Sequence, residues 1–125
     1  MKTVDRMDFC PPGFTAENAY YDSPMRIGSN VTISAPHMHA YCLEWLVSKL
    51  TPGARCLDVG CGSGYLCAAF YEFCKNQDGS ANIVGIDHID DLCDFSLKNL
   101  NKSYSKQIED GSIKIVCGDG RKGYE

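Results

Sequence analysis

Leu57-Asp58-Val59-Gly60-Cys61-Gly62-Ser63-Gly64-Tyr65-Leu66 decides the fold. Arg55 to Val59 reads as a short buried strand, and a helix starts near Gly64 or Tyr65. Between them, glycine at every second position (Gly60, Gly62, Gly64) clears Cβ atoms from the turn, so a ligand can lie against the backbone. The helix start adds unpaired N–H groups and the positive end of a helix dipole. Such a turn at the carboxyl end of a strand is where α/β sheets bind nucleotide-like ligands. A dinucleotide fingerprint, G-x-G-x-x-G/A, fails here because Tyr65 holds its sixth position. That disfavours an NAD-dependent oxidoreductase.

Downstream the pattern alternates. Leu66, Ala69, Phe70 and Phe73 give the helix an apolar face, and Asn76 to Ser80 is a loop. Ile83-Val84-Gly85-Ile86 is a second buried strand ending at Asp87, followed by a helix marked by Ile89, Leu92, Cys93, Ser96, Leu97 and Leu100. Lys102 to Ser112 reads as a polar connection, and Ile113 to Cys117 as a third strand ending in Gly118-Asp119-Gly120. Strand, helix, strand, helix, strand predicts an α/β fold with a parallel sheet and right-handed crossovers. Three strands are about half of a doubly wound sheet, so residues 35–125 are expected to form the first part of a larger domain.

Each strand end then carries a group of matching kind. Asp87, 27 residues after Gly60, can accept hydrogen bonds from both hydroxyls of a ribose, and Asp119 can meet the exocyclic amine of an adenine. Either aspartate alone is as readily a helix cap or turn former. Three in register fit a nucleoside bound across the strand ends.

Upstream, residues 1–34 read as an irregular lobe with Pro11-Pro12-Gly13 and Asp22-Ser23-Pro24 as turns. Its interleaved aromatics (Phe9, Phe14, Tyr20, Tyr21) argue against a disordered tail. After Val31-Thr32-Ile33, Ser34 reads as the N-cap of a helix with Pro36 in its first turn. Met38, Tyr41, Cys42, Trp45, Leu46 and Leu50 form an apolar stripe expected to pack on the sheet, and Thr51-Pro52-Gly53 ends the helix.

The chain has 125 residues, a net charge of −4 and no basic stripe, which argues against a nucleic-acid partner. It shows no apolar run of membrane-spanning length and no signal peptide, so a soluble, cytoplasmic protein without a membrane partner is expected. Its eight cysteines include no C-x-x-C pair, and free, largely buried thiols are the expected reading. Cys61, inside the glycine turn, is the one placed near a ligand. His37-Met38-His39 is too weak a pattern to assign a metal, and none is expected.

Taken together, these motifs carry a resemblance. Asp58 followed by the glycine turn resembles motif I of class I S-adenosylmethionine (SAM) methyltransferases. With Thr32-Ile33-Ser34-Ala35-Pro36-His37-Met38-His39-Ala40, Gly85-Ile86-Asp87-His88-Ile89 and Gly118-Asp119-Gly120, it resembles the protein-L-isoaspartate O-methyltransferase family. Asp5-Arg6, Phe9, Tyr21-Asp22-Ser23-Pro24 and Ile27-Gly28 are similar to that family's upstream segment, so the match runs over essentially the whole chain.

The resemblance implies a Rossmann-like fold, SAM as cofactor, and methyl transfer to the free α-carboxylate of L-isoaspartyl residues in damaged proteins or peptides. It implies Ser34 as the active-site serine, also touching the cofactor. It implies a cofactor pocket of Val31, Thr32, Ile33, His39, Asp58, Gly60, Gly62, Ser63, Gly64, Asp87, His88, Asp119 and Gly120. Ala35, Pro36 and His37 would meet the substrate, and the full-length protein is expected to be monomeric.

A carboxylate is already ionised at neutral pH, so attack on a sulfonium methyl needs alignment and exclusion of water more than a strong base. The resemblance implies that the family's domain continues beyond the third strand, so residues 1–125 alone are expected to bind SAM weakly and turn over little or not at all. The rival readings are a class I methyltransferase with another substrate, a non-catalytic SAM-binding adaptor and an inactive fragment of the family.

Overall fold

The computed structural model describes residues 3–124. Three parallel strands, β3 (Arg55–Val59), β4 (Asn82–Asp87) and β5 (Ile113–Cys117), lie side by side in that order. Helix α3 (Tyr65–Cys74) joins the first pair; α4 (Asp90–Leu100) and a short α5 (Ser105–Glu109) join the second. The predicted strand-and-helix alternation is therefore present. Its one omission is α5, a single helical turn too polar to show an apolar period.

Register fixes which side chains share a face. Asp58 pairs with Gly85 and Gly85 with Ile115, so these positions face α3 together with Cys56 and Ile83. Gly85 has to be glycine: a Cβ there would stand 2.7 Å from the Cys67 sulfur and 2.9 Å from the Cys61 Cβ. The opposite face carries Leu57, Val59, Val84, Ile86 and Val116, and the segment Gly118 to Tyr124 lies across part of it. Gly120 presses on Val59, and Tyr124 shares a groove with Leu57 and Val84. Val84 and Ile86 are buried, whereas Leu57 and Val59 remain exposed.

The N-terminal lobe is more ordered than its sequence suggests. It holds a 3-10 turn at Arg6–Phe9, helix α1 (Ala16–Tyr20), and a hairpin of β1 (Met25–Gly28) with β2 (Val31–Ile33). Ser29 and Asn30 both take positive φ, the conformation a two-residue hairpin turn requires. Neither residue is glycine, which conceals the turn in the sequence.

Helix α2 (Pro36–Leu46) corrects one expectation. Its buried side chains are His39 and Leu43, while Met38, Tyr41, Trp45 and Leu46 are exposed. His39 stacks on Tyr65 of α3, and Leu43 shares a groove with Phe73. The helix therefore docks on α3 by the flank of its apolar stripe, with Tyr41 and Trp45 stacked on each other outside.

Candidate functional site

The run from Ser34 to His37 links β2 to α2. Pro36 occupies the first turn of the helix and Ala35 is its N-cap, its carbonyl accepting from the Met38 and His39 amides. Ser34 thus stands one residue before the cap, exposed, and its hydroxyl makes no hydrogen bond among the described residues. The expected capping role passes instead to Asp22 of the lobe. One oxygen of its carboxylate accepts from the His37 amide at 3.0 Å and contacts the His37 ring Nδ1 at 2.8 Å. Both contacts hold the Asp22 carboxyl below the usual range. Ala35 is fully buried, so neither its methyl group nor its backbone is open to a substrate in this arrangement.

The glycine turn is held from below. Gly60, Gly62 and Gly64 all have positive φ, and Gly64 is the N-cap of α3. The amides of Gly60 and Cys61 donate to the Ile86 carbonyl at 2.7 and 3.1 Å. The buried Asp87 carboxylate accepts from the Gly62 amide at 3.1 Å and from the Ile89 amide at 3.3 Å. Asn99 donates to the Ser63 carbonyl at 3.1 Å. Asp58 lies beneath, accepting a weak contact from the Cys67 thiol at 3.9 Å, and burial pushes its pKa up to about 6. Burial pushes His39 down to about 4, and its Nδ1 is a buried polar atom without a partner among the described residues. Unpaired buried nitrogens are uncommon outside ligand sites.

Two clefts meet at Gly60. The smaller, about 80 Å³, is lined by Val31, Thr32, Ile33, Ser34, His39, Asp58, Gly60, Gly62 and Ser63, with Cys61, Tyr65 and Leu66. The larger, about 670 Å³, runs over the ends of the three strands and is lined by Gly60, Asp87, His88, Asp119 and Gly120, with Val59, Ile86, Gly118 and Arg121. Between them they gather every residue expected at the cofactor except Gly64, whose role is to cap α3. Pro36 and His37 line neither cleft.

Asp119 also performs the cap that was its plainer alternative. It accepts from the Arg121 amide at the start of the turn Gly120–Lys122 and forms a two-pronged pair with the Arg121 guanidinium. That pair lowers its pKa and leaves it about one-third exposed. Tyr65, Leu66 and Arg121 were not foreseen as lining residues. The first two directly follow the motif and could have been found by extending it by one helical turn.

A family model described as protein-L-isoaspartate(D-aspartate) O-methyltransferase (PCMT) matches residues 1–125. The chain belongs to this family. Protein-L-isoaspartate O-methyltransferase 2 of Arabidopsis thaliana is 47% identical over 126 residues, covering 100% of this chain and 39% of the relative. The Caenorhabditis elegans protein-L-isoaspartate O-methyltransferase is also 47% identical, covering 99% of this chain and 52% of its own length. A Plasmodium falciparum protein assigned to the same activity, solved in complex with S-adenosyl-L-homocysteine, superposes with a TM-score of 0.85 at 34% identity. It covers 99% of this chain and 55% of that one. The chain thus spans about half the length of the relatives it matches and carries the corresponding part of a Rossmann-like methyltransferase fold. Among the described residues, no helix is long and apolar enough to cross a membrane.

Proposed function

We propose that this protein contributes the cofactor cleft and active-site serine of an enzyme that methylates L-isoaspartyl residues. The product would be the methyl ester of the free α-carboxylate, as in repair of damaged asparagine and aspartate sites. The observation that carries the reading is the smaller cleft, where Ser34 and its flanking strand meet the glycine turn. A serine that served only as a helix cap would have its hydroxyl engaged; here Asp22 takes the cap and the hydroxyl is free.

The residues suit SAM. The larger cleft, with Asp87 and Asp119 at its strand ends, has room for a nucleoside, and the orphaned Nδ1 of His39 offers a polar partner in the smaller cleft. When bound, SAM supplies an electrophilic methyl on a sulfonium. The chain's own part is positional. Ser34 donates a hydrogen bond to the substrate carboxylate without taking its proton. Asp22 fixes the His37 ring and amide at the substrate-facing start of α2, and the buried wall of Tyr65 and His39 excludes water. Eight free thiols, five of them buried, suit a reducing compartment such as the cytoplasm. A monomer acting on peptide segments fits this arrangement.

The test pairs calorimetric titration of S-adenosylhomocysteine with label transfer from methyl-labelled SAM to matched isoaspartyl and aspartyl peptides. Binding with label on the isoaspartyl peptide alone is the expected result, at a rate below that of the longer relatives. Equal labelling of both peptides would overturn the substrate. Binding without any transfer would point to a SAM-binding adaptor or to the shortness of the chain, which the same assay on a full-length chain separates, and no binding would overturn the whole reading.

A further inference from the structure

The N-terminal lobe buries a guanidinium whose partners are all neutral. Arg6 is 4% exposed; its Nε donates to the Ala19 carbonyl at 2.7 Å, one Nη to the Ser34 carbonyl at 2.8 Å, and the other to the Ser23 carbonyl at 3.4 Å. These carbonyls belong to three separate segments. No carboxylate lies within ion-pair distance of Arg6 among the described residues. Arginine keeps its charge even where burial weakens its hold on the proton, as it does here. A buried cation whose direct partners are carbonyl dipoles, with only the more distant Asp22 charge opposing it, leaves a positive field around it, and a buried charge is costly unless a partner completes it.

That field falls on the smaller cleft. Ser34, the direct partner of Arg6, lines it, as do His39 and Tyr65. Burial first and the Arg6 charge second favour the neutral form of His39, whereas burial raises the Tyr65 hydroxyl against a smaller opposing pull from Arg6. Neutral His39, with its unpartnered Nδ1, adds no positive charge of its own. Asp58 is the one acidic side chain lining the same cleft. A buried positive charge and a buried carboxyl around one small cavity suit a ligand end that carries a carboxylate beside an ammonium group.

We propose that Arg6 is a specificity-determining residue, whose buried charge makes the cleft of Ser34 and His39 select ligands that carry a carboxylate. This deepens the methyltransferase reading and rests on it. Two carboxylates meet the chemistry: that of the methionyl end of SAM and the α-carboxylate of an isoaspartyl peptide. Arg6 touches neither directly. It acts through the Ser34 carbonyl it holds and through its field.

The experiment is a calorimetric comparison of ligands with and without the carboxylate. S-adenosylhomocysteine is set against its decarboxylated amine, and an isoaspartyl peptide against the same peptide as its α-carboxamide, with the peptides titrated into chain saturated with S-adenosylhomocysteine. The wild-type chain is expected to prefer the carboxylate form by about tenfold or more in at least one pair, the size expected of a partly screened unit charge nearby. Arg6→Gln is expected to abolish that preference while leaving affinity for the carboxylate-free ligand within about threefold, a ratio that general loosening of the lobe would not produce. The pair in which the preference collapses identifies the carboxylate. A glutamine variant that keeps the wild-type preference in both pairs overturns the proposal, as does one that loses both forms equally.

Arg6→Lys keeps the charge and gives up part of the carbonyl network. Should Arg6→Gln fail to fold, a preference retained in Arg6→Lys supports the charge and a preference lost in it overturns the idea. If the wild-type chain binds neither S-adenosylhomocysteine nor its amine, the methyltransferase reading fails and takes this inference with it. That result is distinct from binding without discrimination, which sinks the inference alone.

Discussion

Asp58→Asn separates what the cleft demands from what the fold prefers. The Asp58 carboxyl is pushed from an ordinary 3.8 up to about 6, chiefly by burial, with the Asp87 charge adding to the rise and the Cys67 thiol opposing it. In acid below about pH 4 the group is protonated folded and unfolded alike, and it costs nothing. Between about pH 4 and pH 6 the unfolded chain ionises this group while the folded chain still holds its proton, so stability falls across that window and levels off above it. Two pKa units at 1.36 kcal/mol each put the loss at roughly 3 kcal/mol. Asparagine is close in shape, keeps an oxygen facing Cys67, and has no proton to lose. Without ligand, the variant should match the wild type at pH 4 and exceed it by up to about 3 kcal/mol at pH 7.5 in urea unfolding followed by circular dichroism. It should also bind S-adenosylhomocysteine less tightly at pH 7.5, because the charge it lacks faces the cleft. A stability difference independent of pH, or a variant less stable than wild type at pH 7.5, would refute the reasoning.

Three further outcomes are expected. Gly85→Ala drives a methyl group into Cys67, Cys61 and Ile115, and should cost about 1–3 kcal/mol of stability in the same urea assay. Ser34→Ala removes an exposed, unengaged hydroxyl. It should shift stability by no more than about 0.5 kcal/mol and eliminate whatever label transfer the wild type shows, with a smaller loss of S-adenosylhomocysteine affinity in calorimetry. Cys117 is the one cysteine classed as exposed, yet its thiol meets Asp90 at 2.8 Å and is pushed up to about 12, first by Asp90 and then by Cys93. Alkylation followed by mass spectrometry should therefore find Cys117 slower than a free cysteine at pH 8 and faster in Asp90→Asn.

The parallel core was legible because its signals are local. Strand β5 and the start of α3 fall where apolar runs and glycines placed them, and β4 is longer by one residue. The packing side of α2 was not legible. An apolar stripe says that a face can be buried, not which neighbour arrives, and here Tyr65 receives His39 while Trp45 is left 71% exposed. The N-cap at Ala35 was hidden for a related reason: the group that caps the helix, Asp22, lies 15 residues upstream. Cys117 departs from the expectation of largely buried thiols because it sits at the exposed end of its strand. Arg6 could not have been placed at all from spacing, since its reach to Ser34 crosses 28 residues and a hairpin. The residues proposed for the cofactor came from family resemblance and from their places at strand ends. The residues that hold the serine run in place came only with the three-dimensional contacts.

The larger cleft has one stiff wall and one compliant wall. On one side, a single buried carboxylate, Asp87, ties the glycine turn to the start of α4, so these two turns cannot shift independently. On the other, the turn around Asp119 is held by a solvent-facing pair with Arg121, which a passing ligand can open at little cost. A nucleoside lying between them would be gripped unevenly. Changes to its sugar would meet fixed geometry and be rejected, whereas changes to its base would be absorbed by a wall able to yield. Tolerance to chemically modified cofactors should accordingly be lopsided along the length of the molecule.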